Sequence, residues 1–340
     1  MCALRFLDSF DHYTTILQKW TDRQGGSIGA AYARTGAQGC WLPSNNDYIT
    51  LTIDAQDTWI IGEAWRSGNV AAGNGPIIST RDAGTTQGAL QVNAVGTLSL
   101  LRGGVVVATS IRSLFANVFY YIEFKHIIDN VAGLLEARVD GAVWATFVGD
   151  TQNTANATAD QIRLNGHWNA CDTSVDDLYI LDGVDQSIAD PNSPPNNNYW
   201  GDTQVECRVP NGAGTYAEFN TLVGAASHWQ ACNEVPPNED TSYVDTPDVD
   251  DRDTFAFQDL SVVSATIPGI QVLIRARKTA AGAASMARMY RRAAVDNQGA
   301  DVALQESYAY IREIMGGDPI GAGAWTVAAL NAAEFGARAR

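Results

Sequence analysis

Along most of the chain, apolar positions alternate with polar ones or run unbroken for a few residues, between clusters of Gly, Asn, Asp and Ser. Such segments occupy 48–53, 58–65, 77–80, 89–92, 97–100, 105–110, 119–126, 133–139, 142–147, 161–164 and 174–181. They are rich in Val, Ile, Tyr, Phe and Trp. Branched and aromatic side chains fit a pleated, half-buried surface, so each segment predicts a short strand. Strands at this spacing predict a sandwich or barrel. No strong helical period occurs in the first 200 residues, and 11–20 predicts at most one short helical turn. That argues against folds that place a helix between successive strands.

The pattern breaks at 182–202, where three Pro and several Asn and Ser gather. Pro cannot join a central ladder and Asn favours turns. Strand-like pieces resume at 203–209, 215–219, 254–258, 269–277, 284–291 and 308–314, and 325–335 predicts a short helix leading to a final strand. The expected organisation is a first domain over 1–190, a linker over 191–202 and a β-rich second domain over 203–340.

Several motifs inside the first domain occur in a telling order. An aromatic strand, Phe119-Tyr120-Tyr121-Ile122-Glu123-Phe124-Lys125, precedes Leu135-Glu136-Ala137-Arg138-Val139-Asp140-Gly141 and then Val143-Trp144-Ala145-Thr146. The strand Val175-Asp176-Asp177-Leu178-Tyr179-Ile180-Leu181 closes the set. Asp140-Gly141 suits a type I′ hairpin, which needs positive φ at both central positions. This order resembles the LamG-like, concanavalin A-like jelly roll. The opening Phe6-Leu7-Asp8-Ser9-Phe10-Asp11-His12-Tyr13 is similar to the first strand of a group of tailed-phage structural proteins. Further similar motifs are Asp202–Glu206, Pro210–Gly214, Asp253-Thr254-Phe255, Ala324-Trp325-Thr326 and Glu334-Phe335-Gly336. The fold class expected is therefore all-β, a LamG-like jelly-roll sandwich followed by a second, smaller β-sandwich-like domain. The resemblance implies a virion component, made in the host cytoplasm, whose partners are other virion proteins and copies of itself. The role is decoration of capsid or tail, or a short spike.

Charge narrows the partners. Acids outnumber bases 38 to 22, giving a formal charge of −16, which disfavours nucleic acid and anionic membrane. The opening residues carry no apolar leader, and no apolar run is long enough to span a bilayer. The five cysteines, Cys2, Cys40, Cys171, Cys207 and Cys232, form no metal-binding pair and read as reduced apolar side chains, with pairing of Cys207 and Cys232 left open.

Candidate chemistry is sparse. A retaining glycosidase of this fold needs two carboxylates on one strand face. Glu63, Glu123 and Glu136 are isolated in sequence and read as solvent or loop carboxylates. The four histidines accompany no nucleophile elbow. The chain is expected not to be an enzyme and to need no cofactor. Calcium is the one ion entertained, at Asp172, Asp176 and Asp177 or at Asp245, Asp248, Asp250, Asp251 and Asp253; neither cluster matches an EF-hand loop.

Two surfaces carry binding expectations. Residues 234–259 hold nine acids and one base, whereas 275–292 hold six bases and no acid. Either these stretches pair inside one chain, or Asp245, Asp248, Asp250 and Asp251 meet Arg275, Arg277, Arg288, Arg291 and Arg292 between copies. On the sandwich, Trp65, His167 and Trp168 are the candidate contacts for host surface glycans, because aromatic faces stack on sugars.

Overall fold

The computed structural model describes residues 3–189 and 194–340; Cys2 and part of the expected linker, 191–193, lie outside the described residues. The protein is all-β, with 49% strand and 6% helix. It divides into two compact units. The first comprises 3–185 and 196–205; the second comprises 206–340 and the described residues of 186–195.

The first unit contains, in chain order, β1 (Leu4–Asp8), β2 (Asp22–Gln24), β3 (Ser27–Gly29), β4 (Gly39–Leu42), β5 (Tyr48–Gln56), β6 (Thr58–Arg66), β7 (Gly75–Asp82) and β8 (Thr85–Val92). It continues with β9 (Thr97–Arg102), β10 (Val105–Ser113), β11 (Tyr120–Ile127), β12 (Gly133–Val139), β13 (Ala142–Gly149), β14 (Ala159–Asn165) and β15 (Thr173–Asp182). These build two antiparallel sheets. One has eight strands, ordered β13-β12-β11-β6-β15-β4-β3, with β1 also on β15. The other has seven, ordered β10-β9-β8-β7-β14-β5-β2. Phe6, Trp59, Ile61, Trp65, Ile122, Phe124, Leu178 and Ile180 of the first sheet meet Ile49, Leu51, Ile78, Leu90, Leu100, Ile162 and Leu164 of the second. Burying each such side chain is worth about 1.5–3 kcal/mol. Strand β15 is buried along its whole length. It lies between β6 on one side and β4 and β1 on the other. At the β12–β13 turn, Asp140 has φ 49° and Gly141 φ 77°, both positive as the Asp-Gly pair predicts.

Two buried carboxylates in this unit have opposite surroundings. Asp8, wholly buried, accepts hydrogen bonds from the Phe10 N–H (2.9 Å), Tyr13 Oη (2.6 Å), Trp20 Nε1 (2.9 Å) and Lys19 Nζ (3.0 Å). Burial opposes its charge, but Lys19 and the donors outweigh burial and hold the carboxyl below its ordinary value. The opening motif is thus one polar knot beneath β1.

Glu63 has no such support. Strand alternation sets it on the inner face between Ile61 and Trp65, opposite Ile122. Both of its carboxylate oxygens are buried, with no hydrogen-bond partner among the described residues. Burial pushes its carboxyl well above the ordinary value. Neither Glu63 nor Glu123 is the solvent or loop carboxylate that isolation in sequence implied; both are strand residues with no exposed surface.

The second unit contains β16 (Pro210–Ala217), β17 (Thr221–Val223), β18 (Tyr243–Asp245), β19 (Arg252–Phe257), β20 (Ile270–Ala276), β21 (Ser285–Arg292), β22 (Val295–Gln298), β23 (Val302–Ala303), β24 (Ala309–Met315) and β25 (Glu334–Ala339). Its main sheet runs β16-β19-β25-β21-β22, with β23 on β21, and β17-β18 and β20-β24 form two small ribbons. Tyr290, Met315, Trp325 and Phe335 form its apolar centre. The helix Val327–Asn331 leads directly into β25, as the sequence pattern predicts. The strand predicted over 203–209 is not formed. Residues 196–202, expected to be linker, pack on the first unit together with 203–205.

Candidate functional site

Burial overturns two of the three expected sugar contacts. Trp65 and His167 have no exposed surface. They meet edge to face with ring centres 6.1 Å apart, and His167 Nε2 lies 3.0 Å from the Gly73 carbonyl oxygen. Alternation along β6 sends Trp65 inward with Trp59 and Ile61, so an abundance of Trp in strands reports the core here. Trp168 is half-buried and lies against Gly73, where an added Cβ would come within 2.4 Å of the indole.

The charged stretches of the second unit are matched within the chain. Arg275 pairs with Glu239 at 2.5 Å, Arg277 with Asp240 at 2.8 Å and Arg288 with Glu313 at 2.8 Å. Arg291 pairs with Asp296, and Arg292 with Asp318. Asp250 pairs with Arg338 (2.9 Å) and Arg340 (2.7 Å). Asp248 accepts from Asn220 and Asp251 from Thr246, while Asp245 is exposed at the end of β18. All five arginines proposed to meet a neighbouring copy have a carboxylate partner in their own chain, but only Arg275 and Arg277 find it within 234–259; Arg288, Arg291 and Arg292 pair outside that stretch.

The Asp176 and Asp177 carboxylates are likewise committed. Asp176 accepts from the Arg34 and Thr35 N–H groups (2.7 and 3.0 Å), and Asp177 from Thr35 Oγ1 and the Val205 N–H, each at 2.8 Å. Among the described residues, no three His, Cys, Asp or Glu side chains converge to hold a metal ion.

A different site emerges at the end of the eight-stranded sheet. Cys40 and Leu42 point inward, so Trp41 between them points out. Pairing register sets Trp41 beside Ser174, and Ser174 beside Arg66, in one row across β4, β15 and β6. Tyr32, in a short turn between β3 and β4, stacks on Trp41 with ring centres 5.2 Å apart and planes 3° from parallel. Three loops wall the site. The Gly68 N–H donates to the Cys171 carbonyl (2.6 Å) and the Asn117 N–H to the Ser67 carbonyl (2.8 Å), which ties them together. Asn117 (φ 61°) and Asp172 (φ 46°) hold left-handed backbones at the tips.

The result is a cleft of about 270 Å³ lined by Tyr32, Arg66, Gly68, Asn117, Asp172 and Ser174. Arg66 donates from Nη2 to the Ala31 carbonyl and to Ser174 Oγ, both at 3.0 Å, and its guanidinium lies 4.7 Å from the Phe119 ring centre. It has no carboxylate partner among the described residues, unlike thirteen other arginines of the chain. Asp172 accepts from Trp41 Nε1 at 3.2 Å and has no ion pair among the described residues. An apolar plate, a fixed guanidinium, an amide and a carboxylate thus converge on one opening. Sequence reading missed this set because its members come from five separated segments. The one local signal is Trp41, polar-facing between two inward residues.

Farther along the same outer face, the sheet is covered by the chain itself. Residues 196–205 lie over Tyr121, Glu123 and Tyr179, and Tyr179 Oη donates to Glu123 Oε1 at 2.5 Å. The cleft lies beyond this covered part, at the β4–β15–β6 end.

No known protein family matches this chain, and no curated protein matches it. Among solved structures, it is similar to the cellulose-induced protein Cip1 at 15% identity and a TM-score of 0.37, over 52% of this chain and 96% of that one. It is similar to Trypanosoma rangeli sialidase in complex with the inhibitor DANA at 12% identity and a TM-score of 0.35. That match covers 46% of this chain and 27% of the sialidase, so the chain spans about a quarter of that protein's length. The alginate lyase AlgAT5 of polysaccharide lyase family 7 is similar at 5% identity and a TM-score of 0.31, over 40% of this chain and 68% of that one.

Proposed function

We propose that the first unit is a non-catalytic glycan-binding module. The row Trp41–Ser174–Arg66, with Tyr32 stacked beside it, carries this reading. Sugars are held by an aromatic plate together with donors and acceptors fixed at the rim. Arg66 supplies fixed donors, Asp172 an acceptor, and Asn117 and Ser174 both kinds. Binding is favoured over hydrolysis because the lining holds one carboxylate, Asp172, where the two-carboxylate mechanism needs a pair. The motifs similar to tailed-phage structural proteins supply a setting, a multi-copy virion component that touches host-surface glycans.

The test is a glycan array of bacterial surface polysaccharides, followed by calorimetry on the best ligand. Trp41→Ala and Arg66→Ala are each expected to weaken binding at least tenfold, at about 1.4 kcal/mol per tenfold, with the fold intact by circular dichroism. Equal binding by wild type and both variants, or no glycan bound at all, overturns the reading. Mass spectrometry of purified particles tests the setting.

A further inference from the structure

The segment over the sheet face has an unusual course. The chain leaves the first sandwich at 185, contributes to the second unit, returns over 196–205, then leaves again. The returning segment contains no strand and belongs to neither sheet. It is seated by side chains and a few backbone donors. Trp200 packs on Tyr179 with ring centres 4.8 Å apart, and its N–H donates to Tyr179 Oη at 3.1 Å. The Gly201 N–H donates to Glu123 Oε1 at 2.7 Å, with Gly201 at φ 76°. The Tyr199 ring lies 4.0 Å from the Arg138 guanidinium. Asp202 pairs with Arg34 at 2.5 Å.

We propose that this face is a groove for the Tyr199–Asp202 segment of any copy of the chain, and that copies held close together link by exchanging these segments. Three observations support it. Both flanks of the segment belong to the second unit, so the segment is a limb and not part of the sandwich ladder. Lifting it breaks no strand pairing, because β1–β15 are complete without it. Its contacts run from Tyr199 to the Val205 N–H, which donates to Asp177 Oδ1 at 2.8 Å, and all are made to β1–β15 and their loops, so the same contacts form when the segment arrives from another copy. Exchange of an identical element is a low-cost route to assembly. In a dilute solution the tethered segment wins, since a short tether gives an effective concentration of about a millimolar. In a dense array, neighbours reach the same range and exchange competes. This inference is independent of the glycan cleft.

Complementation tests it in the full-length chain. One variant, Tyr199→Ala with Trp200→Ala, has a defective segment and an intact face. The other, Glu123→Ala with Arg138→Ala, has an intact segment and a defective face. Each alone is expected to run as a monomer in size-exclusion chromatography with light scattering. Mixed at micromolar concentration, they are expected to form a one-to-one heterodimer, because the empty face has no tethered competitor. A labelled peptide of residues 194–205 is expected to bind the first variant at least tenfold more tightly than it binds wild type. The proposal is overturned if the mixture stays monomeric and the folded first variant takes up no peptide. If the double substitution unfolds the chain, Trp200→Ala alone replaces it, with the same two readouts.

Discussion

Replacing Asp8 with Ala is expected to lower the stability of the first unit by about 3–5 kcal/mol, the usual cost of removing one partner of a buried ion pair. The side chain of Lys19 is only 3% exposed, so it would be left as a buried cation without its counter-charge. Tyr13 Oη and Trp20 Nε1 would lose an acceptor in the same step, although they lie 3.1 Å apart and bond each other. Asp8→Asn keeps the shape but loses the charge, and should fall between wild type and Asp8→Ala. The pH dependence has a definite sign. The Asp8 carboxyl sits below its ordinary value of 3.8 in the folded state, so the unfolded chain binds the proton first as pH falls. Its contribution is present above that value and is lost as pH falls through the folded one. Differential scanning calorimetry from pH 3 to pH 7 reads both effects. A shift of the sandwich transition by less than a few degrees in Asp8→Ala would show that the knot is not what holds β1 down.

The second large effect has the opposite sign. Glu63→Leu is expected to stabilise the first unit at pH 8 by about 1–4 kcal/mol, as replacing buried charge with apolar volume does elsewhere. Glu63 sits among Ile61, Trp65 and Ile122 with no donor for either oxygen among the described residues, so burial raises its carboxyl well above the ordinary value. Its folded value lies well above the ordinary 4.5, so the folded state binds the proton more tightly than the unfolded chain. The sandwich therefore loses stability as pH rises above 4.5, by about 1.4 kcal/mol per unit until the folded value is reached. Glu63→Gln removes the titration and should flatten this limb without the full gain of Leu. Chemical denaturation at pH 5, 7 and 9 compares the three chains. A wild-type profile parallel to that of Glu63→Gln would show that the carboxylate finds a partner in solution.

These two residues also show what a single sequence reveals. The strands were legible because alternation is a local signal. The predicted 133–139 and 142–147 became β12 and β13, joined by the Asp-Gly turn. The direction of individual side chains was less legible. Trp65 reads as a sugar plate only until the register of β6 sends it inward. Glu63, two residues before it, follows the same alternation into the core, where sequence pattern predicts no acid. The cleft was invisible because Tyr32, Trp41, Arg66, Asn117, Asp172 and Ser174 meet through pairing between strands far apart in sequence. The paired charges of 234–259 and 275–292 were visible as composition, but only the geometry matched acids to bases inside the chain.

The position of β15 matters during synthesis. β1 is made well before its partner on the sheet, Leu178–Leu181. At about 5–20 residues per second, β1 waits roughly ten to thirty seconds before that partner exists. Meanwhile β4 and β6 also lack the strand that joins them. The eight-stranded sheet cannot close from its N-terminal end, so its assembly is governed by contacts of long sequence separation, which form slowly. Nascent chains stopped before residue 182 would carry open strand edges, the form most exposed to chaperones and to aggregation.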